Sequence, residues 1–235
     1  MRDTAEVSIL PLGGSAPAAS AVTTLTITGE TIGQVTLTAG GKVAVLYSNA
    51  VAAERITVLT LGATPAFHVV KLHAPVLSAL PTPDGKFAVV LHPADAAPDA
   101  GVADADAGAP AAPPPARAFS LLPLDGTQPP RIEMTDAPVR AVAISPASDS
   151  VLLTVRGDEA PPVYGAYLGL LPSLKVDRYP LASPPIAAGV VGGANRGYIA
   201  QQHPEGRITF LSLDSGDART LTGYELGARV VEWSR

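Results

Sequence analysis

An all-β fold of repeated four-stranded units is predicted by three observations: a recurrent strand pattern, hairpins interleaved with it, and a composition suited to frequent turns. The pattern appears as EVSILPL (6–12), RITVLTL (55–61), AFSLLPL (118–124), YLGLLPS (167–173) and RITFLSL (207–213). Each copy opens with period-2 alternation and a Leu-rich tip, then runs into a turn rich in Gly, Ser or Pro. Its second residues, Val7, Ile56, Phe119, Leu168 and Ile208, are separated by 49, 63, 49 and 40 residues. A period of about 40–50 residues is that of four-stranded propeller blades. The chain is therefore expected to be one domain over 1–235, a β-propeller-like array of about five four-stranded blades.

The strands of a blade can be assigned in order. Between the markers lie TIGQVTLTAGGKVAVLYS (31–48), PVLSALPTPDGKFAVVLH (75–92), PVRAVAISPASDSVLLTV (138–155) and PIAAGVVGGANRGYIAQQ (185–202). Each is an apolar strand, a tight turn and a second apolar strand. The turns carry Gly40-Gly41, Pro83-Asp84-Gly85, Pro146-Ala147-Ser148-Asp149 and Gly192-Gly193-Ala194-Asn195, residue types that supply positive φ or preset turn angles. The first strand, a, is rich in small residues (Ala79, Ala141, Ala143, Ala187, Ala188, Gly189), as the crowded axis of a propeller requires. Its hairpin partner is b and the marker strand is c. A more polar strand d follows: TTLTITG, FHVVKLH, RIEMTDA, VDRYPLA and RTLTGYE.

The one long interval has a visible source. Residues 93–117, PADAAPDAGVADADAGAPAAPPPAR, contain no Leu, Ile, Phe, Tyr or Trp. Such a tract buries too little apolar surface to offset the entropy of ordering it. The sequence predicts a disordered loop insertion there, and deletion of 94–116 is expected to leave the melting temperature nearly unchanged. The strand inventory also ends short. A closing blade built from 226–233, 7–12 and 23–28 would lack strand b, so the ring is expected either to close on three strands or to be incomplete, as part of a longer propeller whose other blades or domains would be its partners.

These strings resemble the WD40-like, TolB-type and YVTN-type propeller families. APVLSALPTPDGKFAVVL (74–91) is similar to their SPDGK-plus-apolar-strand hairpin, and APVRAVAISPASDSVLLT (137–154) more loosely so. The resemblance implies a propeller scaffold and, by analogy with TolB-like and YVTN-like proteins, a cell-envelope or secreted setting. The Gly-His and Trp-Asp signatures of true WD40 repeats are missing.

Composition narrows function mainly by exclusion. The 24 Pro and 22 Gly of 235 residues fit a turn every eight to twelve residues. Charged residues make up 16%, against about 25% in typical soluble domains. The net charge is −5 with no Lys/Arg cluster, which argues against nucleic-acid binding by phosphate neutralisation. Cysteine is absent, so thiol chemistry is not expected. No apolar run reaches the roughly 18–20 residues of a membrane-spanning helix, and the opening MRDTAEVS shows no signal-peptide core.

No catalytic constellation stands out. His92-Pro93 and His203-Pro204 read as equivalent positions after strand b, with His73 in a d–a loop on the same face. A metal would need three such ligands within about 2.0–2.2 Å of one ion, and the spacing does not support that. Asp104-Ala105-Asp106 echoes a calcium loop but reads as a solvated linker. Ser145 sits in a Ser-Pro turn rather than a nucleophile elbow. The Gly192–Gly197 run opens a strand, not a phosphate-cradling helix. Asp136, Asp158, Glu159 and Asp177 read as solvated loop acids, and Trp233 as a packing residue. The expected function is a non-catalytic binding module without cofactor or metal, its partner an unknown protein or small ligand. The contact face carries the b–c and d–a loops, through His73, His92, Asp136, Arg156, His203 and Glu205. The alternative is a propeller-type hydrolase or lactonase with a metal near the central axis.

Overall fold

A computed structural model describes residues 5–10, 22–27, 31–94 and 115–223. The expected strand over 226–233, its Trp233 and the Asp104–Asp106 run lie outside the described residues. Among the described residues there are eighteen strands and no helix. None therefore forms a helix long and apolar enough to cross a membrane.

Four sheets are four-stranded antiparallel meanders. The first blade holds β3 (Gln34–Leu37), β4 (Val43–Tyr47), β5 (Arg55–Thr60) and β6 (Ala66–Lys71). The second holds β7 (Ser78–Pro81), β8 (Phe87–Pro93), β9 (Ala116–Pro123) and β10 (Arg131–Met134). The third holds β11 (Val139–Ile144), β12 (Ser150–Gly157), β13 (Val163–Leu170) and β14 (Lys175–Pro180). The fourth holds β15 (Pro185–Val191), β16 (Arg196–Gln201), β17 (Arg207–Ser212) and β18 (Ala218–Thr222). Ahead of them, β1 (Glu6–Ile9) and β2 (Thr23–Thr26) pair as a two-stranded sheet. The chain is thus an all-β propeller-like array: four complete blades and the c–d pair of a fifth.

Consecutive blades pack through their faces, and the alternation in sequence sets which residue meets which neighbour. Along β8, Ala88 and Val90 join Val45, Ile56 and Val58 of the first blade. The intervening Val89, with Phe119 and Leu121 of β9, meets Val151, Leu153, Val155 and Tyr167 of the third blade. Along β12 the same switch sends Leu152, with Ala166 of β13, toward Ile199 and Leu211 of the fourth blade. Val7, Ile9 and Leu25 of the first hairpin cover Ala44, Leu46 and Leu59 of the first blade. Middle strands buried on both sides therefore read as nearly continuous apolar runs. Fully burying each such side chain contributes about 1.5–3 kcal/mol.

The a–b turns repeat in geometry as well as in composition. Thr38, Thr82 and Ser145 each donate a backbone N–H to the residue five positions on (Val43, Phe87 and Ser150) at 2.8–2.9 Å. The left-handed position is held by Gly41 (φ 62°), Gly85 (φ 73°) and Ser148 (φ 63°). Ser148 Oγ also accepts the backbone N–H of Asp84 at 3.1 Å, tying the turns of the second and third blades together.

The long tract is shorter than its composition suggests. Pro93 pairs with Ala116 across a register shift, and Ala94 donates to the Pro115 carbonyl at 3.0 Å. Pro93, Ala116 and Arg117 are strand residues, which corrects the expected loop boundaries. Residues 95–114 lie outside the described residues.

Candidate binding cleft

A cleft of about 420 Å³ opens where the second blade hands over to the third. It lies on the face carrying the d–a linkers and b–c loops. Its walls are Arg117 from the start of β9, Asp136 to Pro138 from the β10–β11 linker, and Arg140 from β11. Arg156 and Gly157 at the end of β12, then Asp158, Glu159 and Pro161 of the loop to β13, complete it.

Ordinary blade geometry holds these groups in place. The Thr135 N–H donates to the Arg117 carbonyl at 2.9 Å, and the Arg156 N–H donates to the Pro138 carbonyl at 3.0 Å. These bonds sew the linker to strand c of the blade it leaves and strand b of the blade it enters. Thr135 Oγ1 donates to the Ala137 carbonyl at 2.8 Å, and Ala137 and Pro138 form a buried floor. Tyr167, buried against Phe119 in an edge-to-face pair with centroids 5.8 Å apart, reaches up from the core. Its hydroxyl donates to Asp136 Oδ2 at 2.9 Å and accepts the Asp136 N–H at 3.2 Å. Burial, then the neighbouring Asp136 carboxylate, pushes the Tyr167 phenol above its ordinary pKa. The phenol therefore stays protonated and keeps donating.

Asp136 also takes an ion pair from Arg178 of β14 at 2.6 Å. Arg156 holds Asp158 through Nε, which lies 2.8 and 2.9 Å from the two carboxylate oxygens. Both pairs are solvated and individually contribute roughly 0–1 kcal/mol; their effect is to fix orientation. Arg117 and Arg140 have no carboxylate partner among the described residues. A second cleft of about 460 Å³ shares Arg140, Arg156 and Asp158 and ends on Pro185 and Ile186 of β15. Ile186 is 54% exposed.

Of the six residues expected at the contact face, Asp136 and Arg156 meet in this cleft. His73 is exposed in the β6–β7 linker. His203 is half-buried and Glu205 exposed in the β16–β17 loop, where the Glu205 N–H donates to His203 Nδ1 at 3.2 Å. None of these three lines the cleft.

His92 requires correction, because it is a strand residue with 0% exposure. Its Nδ1 lies 2.8 Å from the Pro75 carbonyl and its Nε2 2.7 Å from Ser120 Oγ. A carbonyl only accepts, so Nδ1 carries the proton and the neutral ring accepts from Ser120. Nor are His92 and His203 equivalent. Phe87 pairs with Pro123 and Arg196 with Ser212, which aligns the two b strands and places Gln201 at the position of His92. Gln201 is likewise buried, and its Nε2 donates to Thr209 Oγ1 of strand c at 2.7 Å. Both side chains tie b to c inside the core.

Arg117, Arg140, Arg178 and Tyr167 escaped the sequence reading. Arg140 left a trace: it is a charged residue at the head of an innermost strand otherwise made of small and apolar side chains. Among the described residues no group of three or more His, Asp or Glu side chains is placed to hold a metal. Smaller clefts lie on the opposite face, between the first and second blades (about 330 Å³) and the third and fourth (about 280 Å³).

No protein-family model and no curated protein matches the chain. Solved structures do. A hydrazine synthase of Kuenenia stuttgartiensis matches at 14% identity and a TM-score of 0.48, covering 82% of this chain and 58% of that one. A TolB-like structure from Agrobacterium tumefaciens matches at 16% identity and a TM-score of 0.43, covering 86% and 65%. The Cps50 (Swd1) β-propeller domain of Myceliophteria thermophila matches at 10% identity and a TM-score of 0.47, covering 83% and 56%. The chain spans less than two thirds of the length of each. The propeller-like architecture stands on its own sheets and seams.

Proposed function

We propose that the chain is a non-catalytic binding module whose ligand seats on the face of the d–a linkers and b–c loops, in the cleft between the second and third blades. The observation behind this reading is the convergence of Asp136 and Arg156 there, on a floor fixed by backbone hydrogen bonds and the buried Tyr167 hydroxyl. The cleft volume lies within the roughly 300–1,000 Å³ range of ligand sites. Charged groups held by partners on rigid strands suit recognition, because their ordering entropy is spent on folding rather than on binding.

An unbiased test is to screen a mixed fragment and short-peptide library by amide chemical-shift mapping. Ligands should perturb residues 135–140 and 156–163 and be recovered chemically unchanged. Perturbations confined to the opposite face, around Val43, His68 and Asp125, would remove the site. Turnover of a bound compound would remove the non-catalytic reading.

A further inference from the structure

The charge arrangement of the cleft narrows the ligand class. The whole chain carries a net charge of −5, yet this site collects Arg117, Arg140 and Arg156, with Arg178 just outside, against Asp136, Asp158 and Glu159. Two of the four arginines are neutralised locally: Arg178 by Asp136 and Arg156 by Asp158. Among the described residues that line the cleft, this leaves Arg117 and Arg140 with one carboxylate not engaged in an ion pair, Glu159.

The guanidinium group has a rigid fork of donors that matches a carboxylate in a two-bond geometry. Arg117 is half-buried and lines the cleft together with Ala137, Pro138 and Val163. The shape adds a second requirement. The two clefts share Arg140, Arg156 and Asp158, so they adjoin, and together their lining runs from the second blade, across the third, to the exposed Ile186 of the fourth. A small anion would fill only the arginine end. An extended chain with acidic side chains followed by an apolar one would use the whole groove.

We infer that the groove binds an extended acidic peptide segment. Its carboxylates pair with Arg117 and Arg140, and a following apolar side chain covers the exposed Ile186. This inference rests on the binding-module reading above and adds the chemistry of the partner. Asp136 and Asp158 act as positioning residues. By engaging Arg178 and Arg156 they orient the rim and leave the other two arginines as the attracting pair.

The test is fluorescence polarisation with the full chain and a labelled Gly/Ser-rich peptide carrying two Glu residues followed by Leu. Its Gln-for-Glu and Ser-for-Leu counterparts are the comparators. The Glu peptide should bind and weaken as salt rises. The Gln peptide should bind at least about tenfold more weakly, and the Ser-for-Leu peptide several-fold more weakly. Arg117→Gln and Arg140→Gln should each cost about tenfold with an unchanged melting temperature, and Arg140→Lys should recover part of the loss. Glu159→Gln, which removes the opposing carboxylate, should tighten binding a few-fold.

Equal affinity for the Glu and Gln peptides would overturn the proposal, as would indifference to the Arg117→Gln/Arg140→Gln double variant. Displacement of the Glu peptide by inorganic phosphate or succinate at matched carboxylate concentration would also overturn it, since a small anion would then be the occupant. If the Glu peptide fails while library ligands still shift residues 135–140 and 156–163, only the acidic class falls. If both fail, the binding site falls with it.

Discussion

His92 was expected on the contact face and is instead a joint between strands. Its register partner Ala118 and its acceptor at Pro75 place it where the linker from the first blade passes strand b of the second. His92→Ala would leave the Pro75 carbonyl and Ser120 hydroxyl unmatched and open a cavity, at about 2–4 kcal/mol by urea denaturation. Burial holds the ring's pKa below its ordinary value of 6.5, outweighing the hydrogen bonds to the Pro75 and Ala74 carbonyls, which favour the charged form. The unfolded chain therefore binds a proton that the folded chain resists. This contribution to stability is complete above about pH 6.5 and is lost as pH falls through the lower native value. Between pH 7.5 and 5 the wild-type urea midpoint should drop further than that of His92→Gln; an equal drop in both would contradict the assignment. At the cleft, Tyr167→Phe should cost about 1 kcal/mol and free Asp136, which hydrogen exchange at residues 135–137 would report. The His-Pro repetition was visible in sequence, but the two-residue offset between His92 and His203 along strand b was not. That difference depends on pairing with strand c, a contact between residues over twenty positions apart in the second blade.

At the level of the strand and turn, the chain was largely legible. Alternating apolar residues and turn chemistry located all four a–b hairpins and all five d strands, because both signals are local. The turns also yield a paired prediction. Gly85 (φ 73°) and Gly193 (φ 77°) both occupy the left-handed region, so an alanine at either should cost about 1 kcal/mol. A Cβ at Gly193 would meet nothing within 4 Å, whereas at Gly85 it would lie 3.1 Å from Thr38 Cγ2 and 3.2 Å from Val43 Cγ2 of the neighbouring blade. Gly85→Ala should therefore be the more destabilising by about 1–2 kcal/mol in thermal or chemical melts. Equal losses would show that the first two blades sit further apart in solution. The extent of the 93–117 tract was misjudged for a related reason. Composition marks Pro93 and Ala116 as loop-like, but strand pairing between β8 and β9 overrides it.

Across the whole molecule, each blade meets mainly its sequence neighbours, so stability should be graded along the array. β8, β9, β12 and β13 are buried by sheets on both sides. Native-state hydrogen exchange should find them the last to open, and β1, β2 and the wholly exposed β18 among the first. Uniform protection would indicate that the ring is closed and behaves as one unit. The cleft was the least legible feature. Asp136 and Arg156 were picked out as loop residues, but their meeting with Arg117, Arg140 and Arg178 depends on how two blades dock.

The alternation of β12 between two neighbours has a consequence for how such a chain can be rearranged. Its two sides differ in relief: Val151, Leu153 and Val155 with Tyr167 toward the second blade, Leu152 and Ala166 toward the fourth. Each seam is thus a lock cut for one key. Transposing two blades would set bulky side against bulky side at one seam and leave a gap at the next. Cutting the chain at an a–b turn, with the order preserved, would leave every seam matched.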